Sequence, residues 1–224
     1  VLTAYWSAKG GSGATVLAAA HALRAAADGP TLLIDLAGDL PCAIGVTAAD
    51  SGIAQWLAAG PQVPTDALDR IAAPVSANLH LVCRGDGPLD PARADVLAEL
   101  LAATPRTVVA DCGTRPGPVG RAIARAADRS ILVTRACYLA VRRQMDHDLA
   151  PTEVALVREA NRALDGPDLT MALGAPVRTT VPFDPAISRA VDAGLLRSRL
   201  PRALARALST TPALVGASRR RYPS

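Results

Sequence analysis

Short runs that are mostly apolar alternate with longer Ala/Leu/Arg-rich stretches along this chain, and that alternation limits its fold more than any other feature. Residues 2–8, 31–36, 79–83, 106–110 and 130–134 have strand length. Residues 14–27, 52–58, 91–103, 121–127 and 139–149 have the length and composition of helices. Segments 154–157, 169–173, 177–181 and 185–195 continue the alternation, and a last helix is expected over 202–208. Strands without a polar face must be covered on both sides, and intervening helices supply the cover. The expected fold class is therefore α/β, a doubly wound, mostly parallel sheet with helices on both faces. Ligands of such sheets sit at the carboxyl ends of the strands. No linker, fixed-period repeat or composition break divides the chain, so one domain is expected over residues 1–210, with 211–224 a flexible basic tail.

Composition excludes several other classes. Of the 224 residues 50% are hydrophobic and 20% charged, too apolar for a disordered chain. No apolar stretch approaches a membrane span, and no secretory-signal pattern opens the chain. The four cysteines form no Cys-x-x-Cys pair, and the three histidines lie at no metal-ligand spacing. The cysteines read as buried free thiols and the histidines as ordinary helix or strand residues.

Residues 9–15, Lys-Gly-Gly-Ser-Gly-Ala-Thr, lie between the first expected strand and the first expected helix. Glycines there let backbone N–H groups curl around an anion, and the helix N-terminus adds its dipole. This context makes a short glycine motif a nucleotide-site candidate. Thr15 stands where a hydroxyl would hold Mg²⁺. An ordinary phosphate loop, G-x-x-x-x-G-K-[ST], needs a lysine at 14, and Ala14 is there instead. Of the 24 basic residues 23 are Arg, and the single lysine, Lys9, falls at the front of this motif. A compact ammonium reaches a phosphate as a point charge in a way that a planar guanidinium does not.

The pattern K-G-G-x-G-x-T resembles the deviant Walker A loop of the ParA/MinD family of partition and cell-division ATPases. Three later segments carry the resemblance on. Residues 31–37 (Thr-Leu-Leu-Ile-Asp-Leu-Ala) resemble the family's second strand and first switch. Residues 107–117 (Thr-Val-Val-Ala-Asp-Cys-Gly-Thr-Arg-Pro-Gly) resemble its Walker B strand and second switch. Residues 181–194, which open Val-Pro-Phe-Asp-Pro, resemble the segment that cradles adenine. Alanine at 14 is similar to the CpaE/TadZ branch and the septum-site-determining Ssd proteins, which act as localisation factors.

The resemblance implies a nucleotide site for ATP or ADP with Mg²⁺. It assigns the trans-acting catalytic role to Lys9, phosphate binding to Gly10, Gly11, Ser12 and Gly13, and the metal to Thr15, Asp35 and Asp111. Pro182 and Phe183 would hold the base. It also implies a homodimer around two nucleotides, a protein partner that reads the switch segments, and a cytoplasmic protein recruited to a pole, septum, nucleoid or inner-membrane face. Ala14, Val16 and Ala37 depart from the family's Lys, Ser/Thr and Asp, and the departures at 16 and 37 argue that Ala14 is natural. Phosphoryl transfer depends on positioning and charge neutralisation, and losing one such group typically costs ~10²–10³ in rate. The expectation is a positioning or scaffold factor with weak or absent hydrolysis. Two alternatives stay open: a slow ATPase cycling on DNA or membrane, and a dimer that needs no nucleotide. Asp39 is a candidate replacement acid or an ordinary turn residue. Arg202 and Arg206 at i, i+4 with Arg219, Arg220 and Arg221 offer a non-specific DNA or anionic-membrane contact, with Leu200, Leu204 and Leu208 on another face of the same helix.

Overall fold

The strand segments alternate their side chains between two apolar layers. In β1 (Leu2–Ser7) Leu2, Ala4 and Trp6 enter one layer and Tyr5 the other. In β2 (Thr31–Asp35) Leu32 and Ile34 face the first layer and Leu33 the second. In β5 (Thr107–Thr114) Val108, Ala110 and Cys112 oppose Val109 in the same way. A period of two with both sets buried requires helices above and below the sheet. The computed structural model describes residues 1–60, 63–64 and 66–209. The expected tail 211–224, with Arg219, Arg220 and Arg221, lies outside the described residues.

The remaining elements are α1 (Ala14–Asp28), α2 (Leu40–Ile44), α3 (Ile53–Ala58), α4 (Ala67–Arg70), β3 (Ala73–Pro74), β4 (Leu79–Val82), α5 (Ala94–Ala103), α6 (Pro118–Ala126), β6 (Arg129–Arg135), α7 (Tyr138–Met145), β7 (Glu153–Arg158), α8 (Gly166–Leu173), β8 (Val177–Pro182), α9 (Pro185–Asp192) and α10 (Arg202–Ser209). They form one eight-stranded sheet in the order β3-β4-β2-β5-β1-β6-β7-β8. Every pairing is parallel except the two-residue β3 with β4. The doubly wound α/β class is thus as expected. One layer of the core gathers residues of α1, α2 and α10 with partly buried side chains of α9, and the other gathers residues of α3, α5 and α6.

Several boundaries differ from the sequence expectation. Helix α6 starts at Pro118, three residues before the expected 121, because a proline is pre-organised for the first turn. Strand β5 runs on to Thr114, past the expected end at Ala110. Only Cys83 and Cys112 are buried thiols; Cys42 is exposed and Cys137 partly so. His147 lies in the loop after α7, accepting from the Leu149 amide and packed against the Trp6 ring.

Helix α10 bears on the expected surface contact. Arg202 and Arg206 are exposed, but Leu204 and Leu208 are buried in the α1 layer and Leu200 packs against it. The apolar face of α10 is occupied by the protein's own core, so it does not lie free for a membrane.

Where α2 ends, its backbone comes into direct contact with the backbone just beyond α9. Gly45, which ends α2, and Gly194, just beyond α9, both have positive φ. A Cβ on Gly45 would lie 2.1 Å from the Gly194 carbonyl oxygen, and one on Gly194 would lie 3.1 Å from the Gly45 Cα.

Candidate nucleotide site

The carboxyl ends of β1, β2 and β5 converge at the middle of the sheet. β1 leads into the glycine loop, and Asp35 and Asp111 end up side by side as register partners on β2 and β5. Gly11 and Gly13 take φ of 72° and 93°, the left-handed region in which side chains are disfavoured. Ser12 is buried and donates its hydroxyl to the Lys9 carbonyl (2.6 Å), closing the turn from inside. Gly13 is the N-cap of α1 and offers no side-chain cap, so the first amides of α1 stay available to an anion. Ala14 packs into the core.

The two carboxylates have different surroundings. Asp35 accepts from three backbone amides of its own loop: Ala37 (3.0 Å) and Gly38 (2.6 Å) on Oδ1, and Leu40 (3.2 Å) on Oδ2. Burial raises its pKa, and these amides pull it back. Its main structural work is to hold loop 37–40 and the start of α2. Asp111 is fully buried, and its Oδ1 accepts from the Gly113 amide (3.0 Å). Its Oδ2 is buried with no hydrogen-bond partner. Burial pushes its pKa up to about 6, against the opposing pull of the Thr15 hydroxyl and the Gly113 amide. Thr15 and Asp111 are thereby brought together, and an orphaned carboxylate oxygen beside a hydroxyl suits a divalent cation. Among the described residues no group of three His, Cys, Asp or Glu side chains could hold a metal. A cation here would need oxygens from a bound ligand or water to complete its shell.

Beside the loop a cavity of about 250 Å³ is lined by Gly11, Ser12 and Gly13 on one side and by Pro182, Phe183 and α9 on the other. Its walls are largely apolar, from Val16, Val157, Val181, Ile187 and Val191. An apolar slot next to an amide cradle suits a flat heterocycle attached to phosphates. Pro182 and Phe183, which the sequence expectation assigns to the base, line this slot. Lys9 is partly exposed at the loop's outer end. The Cys137 thiol, at the start of α7, has its pKa lowered by the Ala140 and Leu139 amides and further by the Lys9 ammonium. The exposed apolar side chains Tyr138 and Leu139 follow it in α7.

Asp39 is exposed and lines a separate pocket with Ala37 and Arg84. Cys112 is buried and its thiol pKa pushed up by burial, which suits packing and not nucleophilic chemistry. Sequence reasoning missed Arg135, at the end of β6, which lines the base-side cavity.

The chain has the fold of the P-loop NTPases of the ParA and MinD type. No family model matches the sequence, and no curated protein matches it, so the likeness is one of structure. A ParA family ATPase from Chlorobium tepidum superposes with a TM-score of 0.75 at 19% identity, over 92% of this chain and 96% of that one. The septum site-determining protein MinD from Pyrococcus horikoshii, solved with Mg-ADP, gives 0.75 at 17% identity over 94% of each chain. An ATP complex of a substituted McdA from Cyanothece gives 0.71 at 16% identity, over 96% of this chain and 98% of that one.

Proposed function

We propose that the chain is a ParA/MinD-like positioning factor, of the CpaE/TadZ/Ssd type, that binds ATP with Mg²⁺ and dimerises without efficient hydrolysis. The observation that carries this is a formed amide cradle, Gly10 to Gly13, whose adjoining helix begins with a buried alanine where hydrolytic relatives need lysine. The backbone and the helix dipole suffice to bind a phosphate. They do not replace the charge that neutralises the leaving oxygens in the transition state, nor does Ala37 orient a water. The related folds solved with Mg-ADP and with ATP support nucleotide as the ligand.

In this reading Gly10, Gly11, Ser12 and Gly13 hold the phosphates, Thr15 and Asp111 face the cation, Asp35 orders the switch-like loop, and Pro182 and Phe183 flank the base. Lys9, at the outer end of the loop, crosses to the phosphates of a second copy. The exposed Tyr138 and Leu139, next to the cysteine that feels the Lys9 charge, support an interface on this face. A MinC:MinD complex of Aquifex aeolicus has the same fold and supports a protein partner here as well.

Light scattering with no nucleotide, with ADP and with ATP, on the parent and on Lys9→Ala, tests the reading. The expected result is a dimer with ATP for the parent, a monomer for Lys9→Ala, and phosphate release near background for both. Turnover well above background overturns the scaffold role. A Lys9→Ala protein that dimerises like the parent overturns the crossing lysine.

A further inference from the structure

With Ala14 in place of a lysine the glycine loop has no cation where it meets α1, yet the cavity beside that end has one. Among the described residues lining that cavity, Arg135 alone carries a positive charge. It is the last residue of β6, the strand next to β1 and therefore next to the loop that β1 feeds. Its Cα partner across the sheet is Val157, and the Val157 Cγ2 lies 4.0 Å from the point where Gly13 would carry a Cβ. Arg135 thus lies one side chain from the phosphate cradle. Its guanidinium carbon is 5.5 Å from the centre of the Phe183 ring, so it spans from the loop side to the base side.

The contacts of Arg135 leave it incompletely satisfied. Its Nη1 donates to Glu159 Oε1 (2.8 Å). Glu159 is shared, because Arg162 also pairs with it through Oε2. Two guanidinium groups on one carboxylate leave this cluster one net positive charge, while Asp184 and Asp192 bring carboxylates to the α9 wall of the same cavity. The Arg135 Nε is buried and has no hydrogen-bond partner. A donor removed from water and lacking an acceptor is unfavourable by itself, and an anionic oxygen in the adjoining cavity completes it.

We propose that Arg135 is the cationic contact this site receives from its own chain, its guanidinium binding a phosphate oxygen of the nucleotide from the β6 side, where position 14 offers no lysine. Glu159 is the positioning residue that holds the guanidinium against the cavity. The proposal rests on the nucleotide-site reading above and adds to it a residue outside the glycine motif. A guanidinium fixed by a carboxylate and lying over a ring is pre-organised to bind, but it sits at the flank of the site and not at the loop's centre. It therefore supports affinity without restoring turnover.

The test is direct binding to the full chain of a ribose-labelled fluorescent ATP with Mg²⁺, competed by ATP and, separately, by adenosine. Arg135→Ala is expected to weaken ATP by at least about tenfold, the range of a charge-assisted hydrogen bond, and adenosine by less than about threefold. Arg135→Lys is expected to recover part of the ATP affinity. Arg135→Met keeps the stem without the charge and provides the same comparison should the alanine variant melt too low. Equal losses for ATP and adenosine would make Arg135 a wall of the cavity and overturn the proposal. Unchanged ATP affinity in Arg135→Met and Arg135→Ala would overturn it while leaving the nucleotide site standing. A parent chain that binds no ATP would overturn both.

Discussion

Asp111→Asn should make the protein more stable at neutral and alkaline pH. Asp111 is buried with one oxygen unpartnered, and its pKa is raised from the ordinary 3.8 to about 6. A pKa raised by burial means that the folded state prefers the protonated acid. The penalty for ionised Asp111 is therefore fully present above pH 6 and disappears as pH falls toward 3.8. The interval corresponds to about 3 kcal/mol at 1.36 kcal/mol per pH unit. Asparagine keeps the oxygen that accepts from Gly113 and removes the charge, but brings an amide group that must be satisfied, a loss of roughly 1 kcal/mol. The net gain expected above pH 7 is about 2 kcal/mol, or roughly 4–8 °C in Tm for a domain of this size. Denaturant melts of parent and variant at pH 8, 6 and 4.5, without divalent cation, measure it. The difference should shrink steadily as pH falls, because only the parent titrates at this position. A variant less stable than the parent at pH 8, or a gain that does not depend on pH, would refute the burial argument. Retention of an acid that destabilises the fold is what a cation site requires.

Two further outcomes follow from groups on the opposite rim of the sheet. Glu153→Ala should destabilise the protein by about 3–5 kcal/mol in thermal or denaturant melts, because it strands Arg129, whose side chain is 9% exposed and forms a two-pronged pair with Glu153 at 2.8 and 2.6 Å. His21 has its pKa lowered to about 4 by burial and by the charges of Arg129 and Arg24, with the Tyr5 hydroxyl on its Nδ1. A lowered histidine pKa contributes stability that is present above 6.5 and lost as pH falls toward 4, up to about 3 kcal/mol. His21→Gln should lack that loss, and a parent-minus-variant difference that stays flat between pH 7 and 4.5 would contradict it.

The sheet and the glycine loop were legible in the sequence because each depends on a local pattern. Strands such as Leu32 to Ile34 announce burial on two sides, and Gly11 and Gly13 announce backbone that side chains disfavour. Helix α2 was hidden by its length of five residues and by Pro41 near its start, and β3 by its two residues. The role of Asp35 was half legible. Its place at a strand end could be seen, but its three amide bonds depend on how loop 37–40 folds back over it. Arg135 gave no signal, since one arginine among 23 at a strand end looks like any other. Its significance comes from neighbours far along the chain, Phe183 above all. The leucines of α10 make a face that spacing reveals, but what covers that face is a long-range fact: α1 and the sheet.

The meeting of Gly45 with Gly194 acts as a spacing gauge. Where side chains separate two helices, their distance drifts as residues change size, because rotamers adjust. Here two peptide backbones touch, and there is no rotamer to adjust. The gap between α2, which Asp35 anchors, and α9, which walls the base-side cavity, is set by the thickness of the peptide group itself. The separation of these two parts of the site can therefore persist while the side chains around them turn over freely, provided that both glycines are kept.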